Sequence, residues 1–127
     1  MNKLENLWAG WRKEYLTFTN SENDSEKTLF EAIDQSQLPD QETFVIEKRT
    51  LTMALLNVYP YTSGHLLIVP RRPVETLAGL SSEEHESLWK MVTDATTTLQ
   101  EVFSPEGINV GLNQGEAAGA GVPDHLH

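Results

Sequence analysis

Residues 43–70 read TFVIEKRTLTMALLNVYPYTSGHLLIVP, and this stretch decides the fold. Three strand-forming apolar runs, 43–47, 51–58 and 65–70, are separated only by residues 48–50 and by the turn cluster Tyr59-Pro60-Tyr61-Thr62-Ser63-Gly64. Antiparallel neighbours can be joined by a tight turn, whereas parallel ones need a crossover of a dozen or more residues. The stretch therefore predicts an antiparallel meander. Pro70 closes its third strand, because proline cannot donate to a ladder.

Working outward, Ser81-Ser82-Glu83-Glu84 carries a capping-box signature for the longest helix. Leu88, Met91, Val92, Ala95, Leu99, Val102 and Phe103 then form one apolar stripe, suited to covering the sheet. Ser104-Pro105-Glu106-Gly107 stops that helix. Residues 108–113 read as a fourth strand, and the Gly/Ala loop 114–121 leads to a fifth that has barely begun at His127. Upstream, Leu4, Leu7, Trp8, Trp11, Tyr15 and Leu16 have approximately helical spacing, residues 19–27 form a polar loop, and Leu29, Phe30 and Ile33 suggest a short helix. The class is α+β, an antiparallel sheet with helices packed against it. The 127 residues read as one domain, with an N-terminal helical arm and loop at 1–40 and a core at 41–127.

Composition excludes several functions. A net charge of −10 argues against nucleic acid as a partner, since such binding works mainly by neutralising phosphates with Lys and Arg. No apolar stretch approaches the ~20 residues needed to cross a bilayer. With no cysteine, disulfides and thiolate metal sites are impossible. The N-terminal residues lack the basic start and apolar run of a signal peptide, so the expected location is cytoplasmic. An acidic chain can still hold a small anion, because one pocket can be made locally positive by Arg71, Arg72 and backbone amides.

The chemistry is concentrated in histidines. Of the four, His85 lies among Glu83, Glu84 and Glu86 and reads as a solvated surface residue. His65 opens an apolar strand directly after a Gly turn; read alone, it is a hydrogen-bonded packing residue. His125 and His127 alternate at the end of the chain, behind Gly-rich backbone able to approach a phosphate closely. In an extended strand, residues at i and i+2 share a face, so the two imidazoles would stand side by side. Phosphoryl or nucleotidyl transfer through a histidine nucleophile needs that arrangement. Imidazole suits it, being substantially neutral near pH 7 and nucleophilic.

Taken together, residues 57–71 (NVYPYTSGHLLIVPR), 109–115 (NVGLNQG) and 121–127 (GVPDHLH) resemble the histidine triad (HIT) family. The match runs in order from about residue 44 to residue 127, and Leu7 to Tyr15 is similar to a segment that opens one bacterial branch of the family. That branch is associated with dinucleoside polyphosphate hydrolases and phosphorylases. The resemblance implies a five-stranded antiparallel sheet, a homodimer, and a purine nucleotide held with its α-phosphate over the histidines. The family motif is His-φ-His-φ-His-φ-φ, with φ apolar. Here His125 is its first histidine and His127 its middle one, the implied nucleophile, with both named as catalytic. Asn57 matches the residue that holds ribose hydroxyls, Leu55 and Val58 would wall the base, and Asn113 corresponds to the residue near the α-phosphate. The amides of Ala120 and Gly121 would face phosphate oxygens, and His65 and His125 match the pair lying behind the nucleophile. Read alone, Asn57 is a turn-entry side chain that binds its own backbone. Arg71 and Arg72 are not assigned as phosphate ligands, and one of them is expected to face solvent.

Two departures from the family pattern carry consequences. Many relatives have Cys-x-x-Cys where this chain places Thr28 and Glu31, and there the cysteines join the two back histidines in a zinc site. Structural zinc wants four N or S ligands, so the expectation is a hydrogen-bonded cluster with no metal and no cofactor. The third histidine and the apolar-Pro-Arg tail are also absent, which implies a chain truncated at the C-terminus within the triad, its last strand cut short. The expected function is cleavage of dinucleoside polyphosphates, of the diadenosine tetraphosphate type, through a nucleotidyl-histidine. The alternative is a catalytically incomplete nucleotide-binding module.

Overall fold

The computed structural model describes residues 27–57 and 63–127. The aromatic arm at 1–18, nearly all of the polar loop, Val58 and most of the turn cluster lie outside those residues. The meander forms as the sequence predicts: β1 (Val45–Lys48), β2 (Thr52–Leu56) and β3 (Leu66–Pro70) pair antiparallel in the order β1-β2-β3. Register is set by opposed pairs such as Leu55 with Leu67 and Met53 with Val69, and a shift between Val45 and Glu47 bends β1. Phe44, at φ +62°, ends a short preceding helix and turns the chain into β1.

Period-2 alternation sends β2 to two different neighbours. Met53 and Leu55 join Val45, Val69, Phe30 and Ile33 in one apolar cluster. Thr52, on the opposite face, meets Ser87 of the long helix, with hydroxyl oxygens 3.0 Å apart. Phe30 and Ile33 belong to α1 (Leu29–Gln35), which starts at the Thr28 N-cap. Its other end is held by Asp34, which pairs with Arg71 at 2.9 Å and with Lys48 at 3.3 Å. Each fully buried large side chain in such a cluster contributes about 1.5–3 kcal/mol. α1 is therefore a packed part of the sheet's second face, and the short helix α2 (Asp40–Thr43) follows it.

The long helix α3 (Ser82–Phe103) opens with the expected capping box, in which Ser81 Oγ accepts from the Glu84 amide and Glu84 accepts from the Ser81 amide. Arg72 seals this end through two hydrogen bonds to Glu84, at 2.7 and 3.1 Å. That contact holds the Glu84 carboxyl down at about 2, well below its usual range, despite its burial. The apolar stripe is only partly used. Leu88 and Met91 are buried, whereas Val102 and Phe103 are 66% and 53% exposed. A helix of 22 residues runs about 33 Å and a five-residue strand about 17 Å, so the far end overhangs the sheet. There Leu99 and Phe103 lie over Gly64, at φ +81°, where an added Cβ would come within 3.0 Å of Leu99.

The five-stranded sheet is three-stranded among the described residues. Residues 108–113 form no ladder, and Ile108 and Val110 are exposed. Among the described residues, the returning chain is joined to the segment that follows β3 by one backbone bond, from the Leu126 amide to the Val74 carbonyl at 2.7 Å. One bond does not make a strand, and among the described residues 108–113 has no neighbouring strand to pair with. No helix among the described residues is long and apolar enough to cross a membrane.

Candidate active site

The site is assembled where residues 125–127 pass between β3 and α1. His125 is completely buried. Its Nε2 lies 2.7 Å from the Pro70 carbonyl, and its Nδ1 lies 2.6 Å from Thr28 Oγ1. A carbonyl oxygen can only accept, so Nε2 carries the proton. In a neutral ring Nδ1 is then the acceptor, and the Thr28 hydroxyl donates to it. Burial pushes the imidazole below the usual histidine range, against the upward pull of the Pro70 carbonyl and of the Asp124 and Glu31 charges. The ring is held neutral, with both nitrogens occupied.

His127 is held differently. Its Nδ1 donates to the His125 carbonyl at 3.0 Å, and its side chain is half-buried. That single bond fixes the tautomer: with the proton on Nδ1, Nε2 keeps its lone pair. Phe30 braces both rings, edge-on to His125 at 5.3 Å between centroids and tilted against His127 at 5.2 Å. Leu126, between them, points into a second apolar cluster with Val74, Leu80 and Leu88. Alternation thus buries Leu126 on one face of the sheet and turns both histidines toward α1.

The remaining sequence-predicted residues fall into smaller groups. Asn57 follows β2, and its Nδ2 lies 3.2 and 3.3 Å from the two ring nitrogens of His65, free to donate to whichever is unprotonated. The Asn57 amide also bonds the His65 carbonyl at 2.9 Å, so these two residues form a unit across the β2–β3 turn. Leu55 is buried in the cluster beneath α1. Asn113 lies at the mouth of the Gly/Ala loop, with Nδ2 3.5 Å from the Gly119 carbonyl. Within that loop the Ala120 amide bonds the Gly115 carbonyl at 3.3 Å, so it is engaged in the loop's own turn. Gly121 has open space around it. Gln114 Oε1 accepts from the Leu77 amide at 3.0 Å and pins the loop to the turn preceding α3. Arg71 and Arg72 are both taken up by carboxylates, Asp34 and Glu84.

Comparison with known proteins places this geometry. Residues 39–127 match the family described as the HIT domain. The chain belongs to the HIT family. The AP-4-A phosphorylase of Mycobacterium tuberculosis is 35% identical to this HIT chain over 129 residues, which span 99% of this chain and 66% of that protein. The chain therefore spans slightly less than two thirds of that relative's length. The bis(5'-nucleosyl)-tetraphosphatase [asymmetrical] of Schizosaccharomyces pombe is 34% identical over 83 residues, 65% of this chain and 45% of that protein. In fold, a HIT family protein from Bacillus subtilis superimposes with a TM-score of 0.70 at 24% identity, covering 80% of this chain and 70% of that one.

Zinc occupies some members of this fold, among them a Zn-bound histidine triad family protein from Mycobacterium smegmatis, TM-score 0.67 at 22% identity over 79% of this chain and 70% of that one. The residues here do not fit it. His125 Nε2 is protonated toward Pro70, and its Nδ1 is already occupied by the Thr28 hydroxyl. A threonine hydroxyl and a carboxylate stand in place of two thiolates, a poor donor set for a structural zinc ion.

Proposed function

We propose that this HIT protein cleaves dinucleoside polyphosphates at the α-phosphate, with His127 as the nucleophile. The observation that carries the reading is the bond from His127 Nδ1–H to the His125 carbonyl, which leaves Nε2 as the free lone pair. In the first step a bond forms between Nε2 and the α-phosphorus, while the bond from that phosphorus to the bridging oxygen breaks. The electron pair leaves with the remaining nucleoside polyphosphate. The imidazole then carries positive charge, and the His125 carbonyl still accepts its Nδ1 proton. In the second step an acceptor oxygen attacks phosphorus and the phosphorus–nitrogen bond breaks, restoring the neutral ring.

Inorganic phosphate is the proposed acceptor, giving a nucleoside diphosphate. The relative that matches along nearly the whole chain is named a phosphorylase, whereas the tetraphosphatase matches over 65% of it. Asn57, Leu55 and Val58 are proposed to receive the purine nucleoside, with Asn113, Ala120 and Gly121 beside the phosphates and His65 supporting Asn57. Residues 41–127 would form this nucleotide-binding core. A homodimer is also proposed, its interface including Val102, Phe103, Ile108 and Val110, which this chain alone leaves exposed. The test is to supply diadenosine tetraphosphate to the full gene product with and without inorganic phosphate, separating the products by chromatography. ADP plus ATP formed only when phosphate is present is the expected result. AMP plus ATP without phosphate would make water the acceptor, and no cleavage in either condition would remove the reading.

A further inference from the structure

The proposed reaction gives no chemical step to His125, yet this is the most completely bonded side chain at the site. Its bonds run in one direction. The Glu31 amide donates to Thr28 Oγ1 at 3.2 Å, Thr28 Oγ1 donates to His125 Nδ1 at 2.6 Å, and His125 Nε2 donates to the Pro70 carbonyl at 2.7 Å. The direction is fixed at both ends, because a backbone amide can only donate and a carbonyl can only accept. Thr28 is thus the N-cap of α1 and, across 97 positions of sequence, the hydroxyl that donates to Nδ1 and so completes the tautomer the Pro70 carbonyl selects. The His125 backbone carbonyl in turn receives the Nδ1 proton of His127.

We infer that Thr28 is a positioning residue for the nucleophile, a hydroxyl clamp that locks His125 in its Nε2–H tautomer and thereby aims His127. This rests on the reading of His127 as the nucleophile. A locked His125 ring, pinned at both nitrogens between α1 and the end of β3, cannot rotate about its side-chain bonds. Its own backbone carbonyl is then held where His127 Nδ1 needs it. Without the hydroxyl, Nδ1 is a buried acceptor with no donor, and the ring is expected to flip or draw in water. The chemistry is specific. Serine can donate in the same way, whereas valine has nearly the same shape and no donor.

The experiment compares Thr28→Val and Thr28→Ser with the unmodified protein, reading histidine tautomers by 15N NMR alongside steady-state kinetics and thermal unfolding. In the unmodified protein His125 should show the Nε2–H form and His127 the Nδ1–H form. Thr28→Val should give mixed tautomers at both rings and a kcat roughly 10–100-fold lower with KM within about twofold, since small misplacements of reacting groups act on this scale. Thr28→Ser should keep both tautomers and a kcat within about threefold. A purely structural cap would lower the melting temperature of Thr28→Val with tautomers and kcat unchanged, and that result overturns the inference. So does a Thr28→Ser protein that behaves like Thr28→Val, or an unmodified protein with His125 in the Nδ1–H form. Should Thr28→Val fail to fold, the unmodified and Thr28→Ser spectra decide. Should the protein cleave no dinucleotide, the proposed activity falls separately, and the tautomers alone judge the clamp.

Discussion

His125 and His127 stand one residue apart on the same face of the chain and are held in opposite ways. His125 is sealed from solvent with both ring nitrogens engaged, and burial keeps it neutral. His127 is half-buried and has one nitrogen engaged by the neighbouring carbonyl, and the other is the proposed nucleophile. Strand alternation alone would only set the two rings side by side, and packing against α1 gives them different surroundings. A motif histidine is thus assigned a role by the bonding of its second nitrogen, and the comparison teaches that the buried partner works through structure.

The strongest way to break this contrast is to remove each ring in turn. His127→Ala should abolish turnover, a loss of roughly a thousandfold or more, because no other group can form the intermediate. Its melting temperature should stay within a few degrees, as only one half-buried ring is lost. His125→Ala should show the reverse emphasis. It opens a cavity and removes the ring that accepts from the Thr28 hydroxyl and donates to the Pro70 carbonyl, a cost of about 3–5 kcal/mol. That corresponds to roughly 10–20 °C in a thermal melt. Equal melting temperatures for the two variants would dissolve the distinction.

Protonation sharpens it further. Because the folded-state pKa of His125 is depressed, the unfolded chain takes up a proton first as pH falls below about 6.5. Stability should therefore decline from about pH 6.5 down to the lower folded value, with a slope of at most about 1.4 kcal/mol per pH unit from this group. Above pH 6.5 the group contributes no pH dependence. Denaturant titrations between pH 7.5 and 5 should show this slope in His127→Ala and lose it in His125→Asn; an unchanged slope in His125→Asn would assign it elsewhere. A smaller effect belongs to the start of α3. Glu84 titrates at about 2 when folded, against 4.5 ordinarily, so its stabilisation is complete above pH 4.5 and is lost as pH falls toward 2. Glu84→Gln should cost about 1–2 kcal/mol at pH 7 and flatten the acid limb of the stability curve.

Much of this was legible in the sequence, for reasons that differ by element. The meander was readable because the connections between its three runs left no room for a crossover, and the capping box because Ser81 and Glu84 act locally. The Arg72 seal was not, since nothing in a sequence says which arginine meets which carboxylate. The apolar stripe of α3 gave its direction but not its coverage: Val102 and Phe103 satisfy the helical period yet run past the sheet. Residues 108–113 have strand composition, but a ladder is a property of two segments. At the site, Asn57 and His65 are expected in separate roles, and the sequence gives no sign that their side chains also meet. Thr28 was marked only as a place where a cysteine is missing. Its partner lies 97 residues away, beyond any local signal. Phe30, which suggests only a short helix in the sequence, also braces both histidines, and no spacing rule shows that.

The central claim, that one histidine reacts and its neighbour holds it in place, is tested most directly by trapping the intermediate. The full gene product would be mixed with dinucleoside polyphosphate labelled at the α-phosphate, quenched under alkaline conditions that preserve phosphorus–nitrogen bonds, and digested for mass spectrometry. The account predicts a nucleotidyl group on His127, absent in His127→Ala and present in His125→Asn wherever that variant stays folded. A nucleotidyl group on His125 while His127 is intact would contradict it.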